Sequence, residues 1–188
     1  MTWPVQRLSA PDPATYSSRQ QEIHDLIASG PRGDVRGPLA IWLHRVELAA
    51  TAQKLGQYCR YDSALGPKLS ELAILVTGRV FGSEYEWHAH KPHALKAGLD
   101  PTVIEAIRIN AEPTFHDPEE QIIYDIATAA HRTRDVDDTL YARGVEVLGE
   151  QRLIDLVGLL GYYTLISLTI NVFRIPPKGD AAPEFSDE

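Results

Sequence analysis

The sequence predicts an all-α fold, and three observations carry that reading. Apolar residues recur at spacings of three and four through most of the chain. No stretch of useful length alternates polar and apolar residues as a half-solvated strand does. Glycine, proline and capping residues stand where helices would begin and end. No repeat at a fixed period stands out. A chain of 188 residues with 44% hydrophobic content can fill one core without disulfides or a structural metal. The expected organisation is one all-helical domain over residues 16–175, with a loosely ordered segment at 1–15 and a flexible, polar, proline-rich tail at 176–188.

The first helix is expected over residues 17–29, where Ile23, Leu26 and Ile27 share a face and Gly30-Pro31 stops it. Residues 30–38, Gly-Pro-Arg-Gly-Asp-Val-Arg-Gly-Pro, are a loop by composition, serving as a plain connection or as the cover of a site. Leu39, Trp42, Leu43, Val46, Ala49, Ala50 and Leu55 mark one face of a helix reaching about Cys59, which reads as a small core residue. Pro67 opens a helix that is apolar at nearly every turn from Leu69 to Phe81 except at Ser70, Glu71, Thr77 and Arg79. Such a helix lies at the centre of a fold, so its charged residues need partners.

Gly82 permits a tight turn, and Ser83 is placed to cap the next helix, which runs towards Ala97-Gly98. Pro92 lies inside that helix and is expected to kink or divide it. Further helices are expected over residues 101–109, 117 to about 134, 137–148 and 153–173.

The last of these contains the one membrane-like stretch, about 18 residues from Leu156 to Phe173, which reaches the lower limit for a spanning helix. Thr164, Ser167, Thr169 and Asn171 lie within it and Asp155 just before it, so a helix buried in protein is expected, with no membrane partner. The first seven residues lack a charged segment followed by a long apolar one, and no export is expected. The single cysteine, Cys59, excludes an intramolecular disulfide framework, a four-cysteine zinc site and a Cys-x-x-Cys centre within one chain, which points to the reducing cytoplasm. Net charge is −8, with pI near 5.3 and no Lys/Arg-rich run, so no nucleic-acid partner is expected. An anionic substrate would need a locally positive pocket.

The residues able to do chemistry concentrate in one block. It reads Ser70-Glu71-Leu72-Ala73-Ile74-Leu75-Val76-Thr77-Gly78-Arg79, then Gly82-Ser83-Glu84-Tyr85-Glu86-Trp87-His88-Ala89-His90, and continues to His93. Glu86 and His90 are four apart and share a helix face; Glu84 and His88 form a second pair displaced around the helix. A carboxyl and an imidazole held together can pass a proton, because burial and neighbouring charge tune both groups. The plain alternative is a surface helix pair. Glu71, inside an apolar run, needs Arg79 two turns on or His90 from the next helix. Arg79 either anchors a substrate carboxylate by two parallel hydrogen bonds or neutralises Glu71. Ser83, Tyr85 and His93 are the further candidates for substrate binding, with Tyr85 and His93, like His88 and Trp87, also readable as packing or rim residues because aromatic positions at helical spacing usually serve the core. Tyr162, Tyr163 and Asn171 on the last helix are placed to line a pocket, although packing and capping explain them as well. Seven histidines supply metal-ligand types, but no Glu-x-x-His pairs recur on separate helices as in di-iron bundles, and no metal or other cofactor is expected.

In this block the chain resembles the carboxymuconolactone decarboxylase family, whose members share a helical fold with the alkylhydroperoxidase D-like proteins. The likeness extends from about Arg36 to Pro176, and the Glu-Leu-Ala-Ile-Leu and Glu-Tyr-Glu-Trp-His-Ala-His blocks carry it. In the peroxidase branch of that fold, a Cys-x-x-Cys pair, a histidine four residues on and an upstream glutamate form a thiol relay. The matching positions are Ser83, Glu86, His90 and Glu71. With neither cysteine present, the resemblance implies a branch without thiol peroxidase activity.

The resemblance further implies a cofactor-independent lyase, acting on a small cyclic carboxylic acid or lactone from aromatic breakdown. In that reading His90 and Glu86 donate the proton, and Glu71 orients and tunes them. It implies a homo-oligomer, trimer or hexamer, in keeping with an apolar last helix that has more surface than a monomer of this size readily covers. Isomerisation or hydration by the same acid-base pair is the alternative reaction. A non-catalytic small-ligand-binding oligomer is the alternative class.

Overall fold

The structure is a computed structural model that describes residues 3–179 and 181–185. All its regular elements are helical, with no strand among the described residues. Helix α1 (Ser18–Ser29) starts where Ser17 accepts the Gln20 N–H while the Gln20 side chain accepts the Ser17 N–H, and it stops at Gly30.

The single helix expected from Leu39 is divided. It consists of α2 (Pro38–Trp42), a 3-10 turn (Leu43–Arg45) and α3 (Val46–Gln57), and α3 widens into a π turn at Tyr58–Asp62. Arg45, at φ −130° and ψ 76°, takes the backbone out of the helical region before α3 begins. An apolar face repeating at helical spacing does not reveal such a break, because both pieces bury the same side.

Helix α4 (Gly66–Val80) is the centre of the molecule. Residues 69–78 are buried without interruption, and α5 (Glu84–Lys96), α6 (Pro101–Arg108), α7 (Pro118–Arg132) and α8 (Asp138–Phe173) all pack against it or against one another. Leu72, Leu75, Ile122, Ile123, Leu156 and Leu159 are wholly enclosed. Each such side chain contributes about 1.5–3 kcal/mol by leaving water, and together they fix α4 against α7 and α8.

Two local expectations are corrected. Of the kink or division expected at Pro92, division does not occur: α5 runs on to Lys96 with the proline inside it, at the loss of one backbone hydrogen bond. Ser83 makes no capping hydrogen bond: it is fully buried at φ −87° and ψ 86°, and its Oγ has no partner.

The two helices expected at the C-terminal end lie end to end within α8, separated by a single residue, Gly149, at φ 76° and ψ 159°. The polar residues of the second piece are satisfied inside the protein. The Asp155 carboxylate accepts the Tyr58 hydroxyl at 2.6 Å and the Ala64 N–H at 2.8 Å, and Thr169 accepts the Trp42 indole N–H at 3.1 Å. Helix α8 is long and apolar enough to cross a membrane by composition, yet one side of it is core of this domain. Its other side exposes Ile154, Val157, Leu165, Leu168 and Val172.

The ends of the chain meet this framework. The Arg7 N–H donates to the Phe173 carbonyl at 2.9 Å, and the Trp3 indole donates to the Ala181 carbonyl at 2.9 Å. Residues 181–185, part of the segment expected to be a loose tail, lie along α5. Glu84 accepts the N–H groups of Glu184 and Phe185, the Glu184 carboxylate takes the Trp87 indole N–H and the Lys91 ammonium, and the Phe185 ring meets Trp87 edge-on at 5.2 Å. Glu84 and His88, the second pair on α5, therefore face this segment.

Candidate active site

The turn between α4 and α5 sets the geometry. Gly82 sits at φ 59°, and the Ser83 N–H returns to the Gly78 carbonyl at 2.7 Å, so α5 folds back directly along α4. Glu71 from α4 then faces Glu86 and His90 from α5. All three are buried, at 4–5% exposure.

His90 lies between the two carboxylates. Its Nδ1 is 2.6 Å from Glu71 Oε2, which assigns the Nδ1–H as donor to Glu71 and leaves Nε2 as the working nitrogen. Nε2 is 3.2 Å from Glu86 Oε2, yet that oxygen has no hydrogen-bond partner, because the two groups are close without being aligned. A buried carboxylate oxygen left without a donor costs stability and is poised to accept one.

Glu71 also meets a cation that the sequence did not suggest. Arg60 Nε, carried inward by the π turn after α3, is 3.6 Å from Glu71 Oε1. Of the two partners expected for Glu71, His90 is the one it meets, and Arg79 points elsewhere: its Nε donates to the Arg108 carbonyl at 2.9 Å and its guanidinium lies 4.9 Å above the Phe185 ring. Eight positions along a helix turn Arg79 about 80° away from the Glu71 face.

Burial opposes a charged His90, but the charge and hydrogen bond of Glu71, with Glu86 beside it, outweigh burial and hold the imidazole above its ordinary range. Burial likewise opposes an ionised Glu71, and is outweighed by His90, then Arg60 and His93, which hold its carboxyl below the ordinary range. Each charge of the pair thus favours the other, the carboxylate supporting an imidazolium and the imidazolium a carboxylate.

A recess of about 90 Å³ opens beside Glu86 and His90. Tyr162 and Tyr163 of α8 line it, with the Tyr163 ring meeting His90 edge-on at 5.2 Å. Gly56 on α3 makes room for the Tyr162 ring, since a Cβ there would lie 2.1 Å from the phenol carbon. Arg60 and, from the loop before α2, Arg32, Asp34 and Arg36 complete the wall. Burial pushes Tyr162 and Tyr85 up to about 12 and Tyr163 well above the usual phenol value, so all three remain neutral hydrogen-bond donors. Guanidinium groups and phenols around an imidazolium make a recess suited to an oxygenated anion.

Of the residues picked out in the sequence, Glu86, His90 and Tyr85 line this recess, and Glu71 stands behind His90. Ser83 and Arg79 do not reach it. His93 is exposed, its ring 6.1 Å from that of His90, and does not line it either. Asn171 instead donates to the Phe81 carbonyl at 2.7 Å. Tyr162 and Tyr163 do line it. Arg32 and Arg36 left a trace in the sequence as paired arginines in a Gly/Pro loop, whereas Arg60 left none. Among the described residues, no group of three His, Cys, Asp or Glu side chains is arranged to hold a metal ion.

The fold is shared with a solved structure described as an uncharacterized peroxidase-related protein from Silicibacter sp. TM1040, at a TM-score of 0.73 over 96% of each chain and 16% identity. No curated protein matches the sequence. The family model described as "Carboxymuconolactone decarboxylase family" matches residues 47–129, a span that holds Arg60, Glu71, Tyr85, Glu86 and His90. The chain is thus similar to the carboxymuconolactone decarboxylase family over residues 47–129, a little under half of its length.

Proposed function

We propose that the protein is a cofactor-independent lyase that decarboxylates a small cyclic carboxylic acid or lactone from aromatic breakdown, in the cytoplasm. The observation that carries this reading is His90, fixed by Glu71 through Nδ1 and presenting Nε2 beside Glu86 at a recess walled by arginines. The arginines hold the anionic groups of the substrate. As the C–C bond to the carboxylate breaks, its electron pair moves into the substrate's own conjugated carbonyl, and carbon dioxide leaves. His90 Nε2 then delivers its proton to carbon, with Glu71 holding the ring in place and Glu86 passing on the replacement proton.

The unpaired Glu86 Oε2 favours a second reading, isomerisation or hydration by the same pair, because a buried acceptor without a donor is a ready base. Product analysis separates the two. Carbon dioxide released from cyclic acids bearing a conjugated carbonyl supports the lyase, whereas a rearranged or hydrated product without carbon dioxide supports the second reading. Turnover of none of them, with binding retained, supports a non-catalytic ligand-binding protein.

Thiol peroxidase activity is expected to be absent. Cys59, the single thiol, is buried, raised by that burial and by Asp155, and does not line the recess. Hydroperoxide reduction that disappeared in Cys59→Ser would contradict this.

Self-association is the expected state, as a trimer or hexamer. Ile154, Gly158, Gly161, Leu165, Leu168 and Val172 follow one another at spacings of four and three along the exposed side of α8, the pattern of a helix-packing seam, and its two glycines allow close approach. Light scattering at micromolar concentration should give a multiple of 20.9 kDa, and Leu168→Glu should lower it. A monomer mass for the unaltered protein would remove the proposal.

A further inference from the structure

The recess beside His90 is small for the task. At about 90 Å³ it falls short of the roughly 150 Å³ that lets a dry cavity admit benzene, and well short of the roughly 300–1,000 Å³ of ordinary ligand pockets. Two larger recesses of about 300 Å³ each adjoin it. One is lined by Ile41, Ile175, Pro176 and Lys178, the other by Trp3, Asn171 and Pro176.

Tyr85 lines all three. Its neighbour on α5, Glu86, belongs to the small recess alone, so the ring stands at the boundary between the chemistry and the open space. The loop before α2 is shaped to receive it. Gly37 has φ +56°, and a Cβ there would lie 2.3 Å from the Tyr85 hydroxyl oxygen and 2.5 Å from the ring carbon that bears it. The phenol thus rests against bare backbone, in a place that any larger residue at position 37 would take from it.

We propose that Tyr85 determines substrate size at this site. Its ring partitions one continuous cleft, holding a small oxygenated group beside Glu86 and His90 while the remainder of an elongated carboxylic acid passes the ring towards Ile175 and Pro176. The inference rests on the recess being a substrate site, but not on which reaction occurs there. A ligand too large for the inner recess binds only when the ring leaves Gly37, and its affinity is reduced by the fraction of molecules in that state. Arg36 is shared by the inner recess and the one beside Ile41, as is Asp34, which pairs with it at 3.3 Å, so the path carries a guanidinium donor whose charge is balanced.

The test is a calorimetric comparison of acetate, benzoate and 2-naphthoate binding to the unaltered protein and to Tyr85→Ala, Tyr85→Phe and Gly37→Ala. Tyr85→Ala should raise 2-naphthoate affinity at least tenfold relative to acetate. Gly37→Ala should move the ratio in the same direction, and Tyr85→Phe, which keeps the ring, should follow the unaltered protein. A change in acetate affinity shared by Tyr85→Ala and Tyr85→Phe reports the lost phenol donor, acts on all three acids alike, and leaves the naphthoate-to-acetate ratio as the readout of the partition. A naphthoate-to-acetate ratio unaltered by Tyr85→Ala, an equal change in Tyr85→Phe, or failure of all three acids to bind any form overturns the proposal. His90→Gln should keep the size ratio whatever it does to turnover, so a failed lyase reading and a failed partition give different results.

Discussion

His90→Gln should lower turnover by about a hundredfold or more, the usual scale for losing a positioned acid or base, while the protein remains folded. The glutamine amide can still donate to Glu71 Oε2, so the buried contact now made at 2.6 Å is not left open. It cannot carry a transferable proton, and Nε2 is the atom that faces Glu86 and the recess. Initial rates and a thermal melt on the same preparation separate the two effects. The pH profile adds a second check. Because Glu71 and Glu86 hold the imidazole above its ordinary value of 6.5, a reaction that needs the imidazolium should keep its rate through pH 6.5 and fall only at higher pH. Glu86→Gln should change the shape of that profile and cut the rate, with a smaller effect on substrate affinity. A well-folded His90→Gln variant with near-normal turnover would remove the proton donor from the proposal.

Much of this arrangement is legible in the sequence because burial is unforgiving. A glutamate in the run Leu69 to Gly78 cannot stay ionised without partners, so Glu71 announces a cation nearby, and the Glu86-His90 spacing offers one on the next helix. Choosing His90 over Arg79 depends on how α4 is rotated against α5, which hydropathy does not encode. Arg60 is less legible still. It reaches Glu71 because a π turn shifts the register after α3, and no pattern of apolar residues marks that extra residue. The segment 181–185 misleads in the opposite way. Its composition is polar and proline-rich, but its hold on α5 comes from the paired acceptors of Glu84 and the indole of Trp87, which only the folded chain brings to it. The loop at 30–38 had two readings, and Arg32 and Arg36 at the recess favour that of a cover.

Glu71→Gln is the second large expected effect, and it separates a relay from a structural ion pair. Glu71 has a folded pKa below its ordinary 4.5, so the stability it contributes is present above pH 4.5 and is lost as pH falls through the lower folded value. His90 has a folded pKa above 6.5, so its contribution is present below pH 6.5 and is lost as pH rises through the higher folded value. Both are in full force only between about pH 4.5 and 6.5, and there the variant should be destabilised most, by about 3–5 kcal/mol as for other broken buried pairs. The difference should shrink on either side, which denaturant titrations at several pH values would show. If Glu71 serves only the fold, turnover at an optimum where the variant is folded should match that of the unaltered protein. If it holds the His90 proton for the reaction, burial is left to act on the imidazole with less to oppose it, its pKa falls, and the alkaline limb of the rate profile moves to lower pH with a loss in rate of ten- to a hundredfold. An unshifted limb and an undiminished rate would leave Glu71 as a partner in stability alone.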